Sequence, residues 1–178
     1  MKKIYVFVCV VMVSLLMAGC RSAVSNHTYL LTPDETLQAQ PEAKVRVRVM
    51  SISLPVYLSR RELVRLVDGD ELTMVSGIML AETLDSGVRN VLSENLERLS
   101  VPGGTMRSVR FDFRHLELTD HGTVRVEVLV STDGISESPK TIAFETPLAG
   151  QAHVVRAYSV ALAELSRQVM QWLCAVQR

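Results

Sequence analysis

The sequence lacks the short motifs that mark common enzyme sites. It contains no Gly-x-Ser-x-Gly nucleophile elbow, no Walker-type glycine loop, no His-Glu-x-x-His zinc motif and no Cys-x-x-Cys pair. The four histidines, His27, His115, His121 and His153, are scattered over segments of different predicted structure. We therefore expect no catalytic activity, no metal site and no cofactor.

The chain also lacks an excess of charge of either sign. Its 19 Lys and Arg residues balance its 19 Asp and Glu residues. Loss of residues 1–19, argued below, removes two lysines and no acid, which leaves a nearly neutral protein. A nucleic-acid partner would need Lys and Arg clustered on one face. The charge balance therefore offers no support for nucleic-acid binding.

The N-terminal apolar run is too short to be a permanent membrane span. It extends from Ile4 to Leu16, whereas a transmembrane helix needs roughly 20 apolar residues. Two lysines precede the run and a small Ala-Gly pair follows it, as in a cleaved signal peptide. Cys20 comes directly after that pair, so Leu16-Met17-Ala18-Gly19-Cys20 has the form of a bacterial lipobox. We predict that residues 1–19 are a lipoprotein signal peptide.

Cys20 is predicted to carry the membrane anchor. In lipoproteins the thiol of this cysteine receives a diacylglycerol, and the freed amine takes a further acyl chain. One acyl chain holds a protein only marginally, whereas two or three anchor it stably. An ordinary secretory signal is the alternative, because Met17 stands where Leu is usual. By resemblance to other lipoproteins, Arg21 favours the outer membrane, because an aspartate at that position commonly retains a lipoprotein in the inner membrane.

Cysteine is scarce in this chain, which has three of them. Cys9 leaves with the signal peptide and Cys20 is consumed by lipid, so no second cysteine remains to form an intramolecular disulfide with Cys174. Cys174 lies near the end of a strongly apolar helical pattern. We expect this thiol to be buried rather than reactive or bridged to another molecule.

The mature chain divides into a tether and a domain. Residues 20–44 are polar, contain two prolines and show little periodicity, which predicts a flexible tether. The trio Tyr29-Leu30-Leu31 interrupts the tether and is interpreted as a short strand that docks on the domain. Residues 45–178 are predicted to form one domain with a core of its own.

Alternating and paired apolar segments predict strands at the start of this domain. Val45 to Val49 alternates with period two, which places three valines on one face and two arginines on a solvated face. Residues 63–67 and 72–75 flank Asp68-Gly69-Asp70, which predicts a small hairpin or two short extended pieces. The acids of that turn do not make a calcium loop, because the other oxygen ligands of an EF-hand are missing.

A helical pattern follows between Ile78 and Leu99. Apolar residues recur at spacings of three and four, and Gly87 is predicted to mark close packing against a neighbour. Asn95 beside this face is interpreted as a side chain with a satisfied hydrogen bond. Two acid–base pairs at i, i+4 spacing lie on the opposite face: Asp85 with Arg89, and Glu94 with Arg98.

The rest of the chain predicts an antiparallel meander and a long helix. Three alternating runs, near residues 109–113, 124–130 and 142–147, are separated by short polar turns. One face of this sheet is expected to be covered by helices and the other to be partly open. From about Gln151 to Val176 one heptad-like apolar stripe predicts a helix, with Leu165 and Trp172 in the core. The predicted fold is a single α/β (α+β) domain, in which two long amphipathic helices pack on a mixed sheet of about four to five strands.

Several of these segments resemble the PqiC-like family of ABC-type transport auxiliary lipoproteins. The resemblance covers roughly residues 28–173, in the expected order, and it is carried by Tyr29–Pro33, Leu63–Val64, Ala81–Asp85, Val91–Leu99 and Ala157–Val169. It implies a lipid-anchored domain that faces the periplasm from the outer membrane. It also implies a partner, an MCE-domain protein that forms a tunnel in a system moving lipids between the inner and outer membranes. The lipoprotein is then expected to dock or complete the outer-membrane end of the tunnel as a ring of copies.

Two other functions compete with this one. An auxiliary lipoprotein of an ABC transporter that captures a hydrophobic solute itself is the main alternative. A periplasmic hydrolase is the other, but the sequence nominates no catalytic residues for it.

Overall fold

A computed structural model describes residues 27–39, 44–133, 139–148 and 153–176. The predicted signal peptide and Cys20 lie outside the described residues, as do Cys9 and Gln151. The described residues form one mixed sheet with two helices, so the predicted α+β class is confirmed.

The sheet contains seven strands rather than four to five. The strands are β1 (His27–Tyr29), β2 (Val45–Ser53), β3 (Glu62–Val67), β4 (Glu71–Leu80), β5 (Thr105–Thr119), β6 (Thr123–Thr132) and β7 (Lys140–Pro147). The helices are α1 (Leu84–Leu99) and α2 (Val154–Val176), and a 3-10 turn spans Val56–Leu58. The predicted count was too low, although each of the seven strands overlaps a segment that the sequence pattern marks as extended.

Strand β5 is central to the sheet and pairs with three other strands, β2, β3 and β6. The spatial order is β1-β4-β3-β5-β6-β7, and β2 also pairs with β5. Both β2 and β3 run parallel to β5 along one edge, with β2 beside its first half and β3 beside Leu118 and Thr119. The other edge of β5 begins the predicted antiparallel meander of β5, β6 and β7. The meander and the β3–β4 hairpin are confirmed.

The hairpin turn follows from its sequence. Asp68 and Gly69 both have positive φ, at 49° and 90°, and the N–H of Asp70 donates to the carbonyl of Val67 at 3.3 Å. Asp-Gly tolerates this pair of left-handed conformations, which suits the twist of two antiparallel strands.

The core lies between one face of the sheet and the two helices. Helix α1 packs against β2 and α2, and α2 packs against β6 and β7. The inward residues of β6 are all buried: Val124, Val126, Val128 and Val130. The outward residues of β2, such as Arg46 and Arg48, are exposed. The predicted division into a covered and an open face is therefore confirmed.

The first helix begins later than the sequence pattern indicated. Ile78 to Leu80 belong to β4, where the N–H of Leu80 donates to the carbonyl of Arg61 at 2.7 Å. Leu80 is buried, but as a strand residue, and α1 begins at Leu84. The spacing of four between these leucines suits a helix, yet strand pairing satisfies the backbone of Leu80 first. On the surface of α1, Arg98 binds Glu94 at 2.7 Å, whereas no ion pair joins Asp85 to Arg89.

Two predictions on the second helix need correction. Leu165 is fully buried, as expected, but Trp172 is only half-buried and Leu173 takes its place in the core. An α-helix has 3.6 residues per turn, so a stripe read with a heptad spacing drifts from the buried face along a long helix. Cys174 is half-buried rather than buried, because it lies one position beyond Leu173 at the edge of that face.

Candidate functional site

Residues 27–39 pack on the domain, although the sequence placed them in the predicted tether. Strand β1 pairs in parallel with β4, with His27 opposite Ile78 and Tyr29 opposite Leu80. Leu31 and Leu37 are each only 7% exposed and belong to the core. The short docking strand is therefore confirmed, and it lies on the N-terminal side of the predicted boundary at residue 45. Two buried leucines explain why this polar segment stays on the domain.

Hydrogen bonds fasten the same segment to both helices. The N–H of Thr32 donates to Ser159 Oγ in α2 at 3.0 Å, and the N–H of Asp34 donates to Asn95 Oδ1 in α1 at 2.9 Å. Arg167 of α2 donates to Asp34 Oδ2 at 2.9 Å. These bonds link residues that lie far apart in sequence, and together they hold the segment against both helices.

The Asp34 carboxylate is stabilised in its charged form. Its Oδ1 accepts from the hydroxyl of Thr36 at 2.7 Å and from the N–H of Thr36 at 2.9 Å. These bonds lower the pKa of Asp34, and the Arg167 guanidinium lowers it further against the opposing effect of partial burial. Asp34 is therefore charged at neutral and mildly acidic pH, where it helps to hold Arg167 in place, and this contribution is lost as pH falls through the lowered pKa of Asp34.

Asn95 is only partly satisfied. Its Oδ1 receives the Asp34 bond, which confirms a hydrogen-bonding role in the core. Its Nδ2 is buried and has no hydrogen-bond partner among the described residues. The predicted side-chain hydrogen bond is therefore present, but it uses only the oxygen of the amide.

Gly87 marks the close contact between α1 and this segment, as predicted. A Cβ atom at Gly87 would lie 3.1 Å from Leu31 Cδ1, tighter than ordinary van der Waals contact. The glycine therefore makes room for a buried leucine that the helix pattern alone did not identify.

We expect Gly87→Leu to displace residues 29–37 from α1. The added side chain would occupy the space of Leu31, and overpacking of this kind costs about 1–3 kcal/mol. Hydrogen exchange of the amides at residues 29–37 should become faster. Arg89→Leu, an equal side chain at an exposed position of the same helix, should leave this exchange unchanged. Equal protection in both variants would contradict the close packing.

A groove lies where this segment meets the start of α2. Its volume is about 510 Å³, within the usual size range of ligand pockets. Tyr29 and Leu30 line it from one side, and His153, Arg156 and Val160 line it from the other. The rings of Tyr29 and His153 lie 5.2 Å apart. The groove is open to solvent, and both apolar and charged side chains line it. It is therefore less suited to a hydrophobic solute than an enclosed apolar cavity would be.

A buried carboxylate occupies a second position, on the opposite face of the sheet. Glu117 lies in β5 between the part paired with β2, which ends at Asp112, and the part paired with β3, which begins at Leu118. Its side chain is only 1% exposed. The carboxylate accepts from the N–H of Leu116 at 2.9 Å, so it satisfies a backbone group in the gap between the two neighbouring strands.

Two further groups surround this carboxylate. The hydroxyl of Tyr57, in the 3-10 turn, donates to Glu117 Oε2 at 3.2 Å, and His115 Nδ1 lies 2.6 Å from Oε1. Burial raises the pKa of Tyr57 to about 12, and the negative charge of Glu117 adds to that effect. Burial also raises the pKa of Tyr158, which is fully buried in α2, with Glu117 as the second cause. The Tyr158 hydroxyl has no hydrogen-bond partner in the described part of the chain.

A histidine held by a carboxylate is the pair that orients a general base in many hydrolases. That chemistry also needs a nucleophile within hydrogen-bond reach of the histidine. Among the described residues His115 has Glu117 as its polar partner, and no serine, threonine or cysteine side chain hydrogen-bonds to it. Nor do those residues bring together three His, Cys, Asp or Glu side chains that could hold a metal ion. The arrangement therefore fits a structural role, the closing of a gap in the sheet.

We expect Tyr57→Phe to change how stability depends on pH above 10. The neutral phenol is favoured in the folded state, so its contribution is complete below the ordinary pKa of 10.0 and is lost as pH rises through about 12. Unfolding titrations should show a shallower loss of stability over this interval in Tyr57→Phe than in the wild type. At neutral pH the cost should be about 1 kcal/mol, because 3.2 Å is long for an O–H···O bond.

Tyr29→Phe is the matched control for this measurement, because Tyr29 is also half-buried but lines the groove beside α2. It should retain the alkaline slope of the wild type. Identical slopes in Tyr57→Phe and the wild type would show that Glu117 does not hold the Tyr57 proton.

The predicted site of membrane attachment lies outside the described residues. Cys20, the predicted acylation site, precedes the first described residue. Neither described helix is long and apolar enough to cross a membrane.

Solved structures with a similar architecture are known. One solved protein, described only as uncharacterized, aligns over 84% of this chain and 99% of its own, with 14% identity and a TM-score of 0.65. Protein XCC0632 from Xanthomonas campestris, of family DUF330, aligns over 85% of this chain and 96% of its own, with 13% identity and a TM-score of 0.57. At these identities the likeness concerns the fold alone.

Comparison of sequences identifies the family. No curated protein matches the chain. A family model described as "ABC-type transport auxiliary lipoprotein component" matches residues 29–170, from the docked strand β1 almost to the end of α2. The chain therefore belongs to the family of ABC-type transport auxiliary lipoprotein components.

Proposed function

We propose that this protein is a lipoprotein of the outer membrane, anchored through Cys20 and facing the periplasm, that serves an MCE-type intermembrane lipid transport system. It binds an MCE-domain protein and docks or completes the outer-membrane end of the tunnel, as one of several identical copies. The observation that carries the proposal is the family match over residues 29–170 directly behind the lipobox at residues 16–20.

The docked N-terminal segment supports a role in assembly close to the membrane. Seven peptide units separate Cys20 from His27. A fully extended chain spans at most about 3.3–3.6 Å per residue, so β1 lies no more than about 25 Å from the acylated cysteine. Because Thr32 and Asp34 bond to the two helices, the rest of the domain is held at a fixed position relative to β1. A domain held in this way is suited to receive a partner at a constant height above the membrane.

The nature of the described cavities also favours assembly over transport of a lipid by the lone domain. Lipid chains need an enclosed apolar cavity, because burial of apolar surface supplies the binding free energy. The groove beside α2 is open, and Arg156, Asp34 and Glu35 are among its lining residues.

Capture of a hydrophobic solute by the domain itself remains the second candidate. The observation that favours it is the same groove, whose volume of about 510 Å³ is adequate for a small ligand and whose rim includes Leu30 and Val160.

One experiment separates the two functions. The acylated protein is recovered from membranes with its partners, and the purified protein is analysed for bound lipid. Recovery of an MCE-domain protein, without stoichiometric lipid in the isolated protein, is expected. A tightly bound lipid with no such partner would overturn the proposal in favour of solute capture. Val160→Glu is the internal control. The added carboxylate should abolish binding of a hydrophobic solute in the groove and should leave the MCE-domain partner bound.

A further inference from the structure

The direction of β1 distinguishes the two ends of the sheet. Strand β1 runs parallel to β4, and β4 leads away from the turn at Asp68–Asp70, so β1 begins on the side of that turn. Strand β3 of the same hairpin pairs with β5 at Leu118, twelve residues beyond Met106. At about 3.3 Å per residue, Met106 lies roughly 40 Å from the hairpin along the strand direction. The chain thus enters the domain from the end opposite Met106.

Exposed apolar and basic side chains come together in the groove beside α2. Leu30 is 58% exposed and Val160 is 36% exposed, and both line this groove. His153, directly before α2, is followed by Arg156 and Val160 at spacings of three and four, so these residues share one face of the helix. Arg156 is exposed and forms no ion pair with a described residue. Apolar side chains beside an arginine are typical of surfaces that bind at a phospholipid interface.

The acids of this groove have basic neighbours. Asp34 is paired with Arg167 at 2.9 Å. The pKa of Arg98 is raised chiefly by its hydrogen bond with Glu94 and, to a smaller extent, by nearby acidic charges that include Glu35. The charge of Glu35 is therefore partly balanced by Arg98, whereas Arg156 has no counterion among the described residues.

The hairpin of β3 and β4 is another apolar surface on the side from which the chain enters. Leu72 is 44% exposed and Met74 is 59% exposed. Three exposed acids adjoin them in the sequence: Asp68, Asp70 and Glu71. The one exposed base of the two strands is Arg65. Anionic phospholipid attracts basic groups and repels acidic ones, so charge favours the groove over the hairpin as a membrane contact.

We propose that the contact face, formed by Leu30, Arg156 and Val160, rests on the phospholipid surface that holds the anchor. The two apolar side chains enter the boundary between headgroups and acyl chains, and Arg156 binds lipid phosphate groups. The inference rests on the proposed function, because the anchor and its short tether keep this face near the membrane. A weak contact is sufficient, since tethering gives it a high effective concentration. Met106 then points away from the membrane, where a protein partner is received.

Quenching by brominated phospholipid tests this orientation. The full acylated chain is placed in vesicles of phosphatidylethanolamine and phosphatidylglycerol with brominated acyl chains. Trp172→Phe removes the only tryptophan, and Leu30→Trp, Met74→Trp or Met106→Trp then adds one at a position that is 58%, 59% or 50% exposed. Leu30→Trp should be quenched at least about twofold more than Met106→Trp, because interfacial side chains sit about 5–10 Å into the headgroup boundary. Met74→Trp should behave like Met106→Trp.

Charge reversal tests the basic part of the contact face. In the chain with Leu30→Trp, Arg156→Glu should reduce quenching at least about twofold, because an anionic surface repels the new carboxylate. Arg48→Glu makes the same change of charge at an exposed residue of β2, beside Ser108 in the half of β5 that holds Met106, and should leave the quenching unchanged. Thermal unfolding verifies each variant, and Val160→Trp repeats the measurement in the same groove if Leu30→Trp lowers the midpoint.

Several results would overturn the proposal. Equal quenching of Leu30→Trp and Met106→Trp would show that the contact face does not meet the lipid, and stronger quenching of Met74→Trp would show that the hairpin does. Quenching that persists in the Cys20→Ala protein after its separation from vesicles would show that the groove carries a lipid, as solute capture requires. An acyl mass at Cys20 without quenching of Leu30→Trp would refute the contact face alone. Absence of that mass would refute the anchor of the proposed function and the contact face with it.

Discussion

Replacing Cys20 with Ala is expected to move the protein from the membrane fraction to the soluble fraction. Residues 16–20 have the form of a lipobox, which would place this thiol where a diacylglycerol is attached. Each buried CH₂ group contributes about 0.8 kcal/mol, so the loss of two or three acyl chains removes essentially all membrane affinity. The measurement is fractionation of membranes together with the intact mass of the protein.

Ser22→Ala provides the control, since it changes a neighbouring small polar residue and leaves the lipobox intact. This variant should remain anchored and acylated. A wild-type protein that is soluble and carries no acyl mass would mean that residues 16–20 act as an ordinary secretory signal.

Leu165→Ala is expected to lower the free energy of unfolding by about 2–5 kcal/mol, because it leaves a cavity in a fully buried part of the core. Leu165 lies on the face of α2 that packs against the sheet and against α1. The half-buried Trp172 is the only tryptophan of the chain and reports unfolding by its fluorescence. Urea titrations of the wild type and the variant give the difference.

Val160→Ala is the matched change on the same helix. Val160 is 36% exposed, so truncation there should alter stability by no more than about 0.5 kcal/mol. A loss below about 1 kcal/mol for Leu165→Ala would show that this stripe faces a partner rather than the core.

Much of the fold follows from local periodicity. The alternation of valines along β6 predicts a strand with one buried face, and each of those valines is buried. The Asp-Gly turn predicts the β3–β4 hairpin for a local backbone reason, since both residues adopt positive φ. Such elements are predictable because the residues that define them are adjacent in the chain.

The predictions from sequence are wrong where contacts with distant parts of the chain override the local pattern. Leu80 fits a helical spacing, but pairing with β1 and a bond to Arg61 place it in a strand. Trp172 fits the heptad-like stripe, but the true pitch of α2 turns Leu173 toward the core instead. In both cases tertiary contacts select one of two local possibilities.

The candidate sites were predictable only in part. Gly87 and Asn95 stood out in the helical pattern, yet nothing in the sequence names Leu31 and Asp34 as their partners. Glu117 was not identified, because its place on the outward face of β5 normally means exposure to solvent. The 3-10 turn at Val56–Leu58 covers it, and that crossing depends on the path of the chain between β2 and β3.

By itself the sequence determined the predicted lipid attachment point at Cys20, the α+β class and the apolar faces of the strands and helices, because each depends on residues close together in the chain. The tertiary structure alone decided that residues 27–39 are part of the domain and that a carboxylate is buried in the gap between β2 and β3. These features arise from pairing between segments far apart in sequence, where burial and hydrogen bonding outweigh local preference.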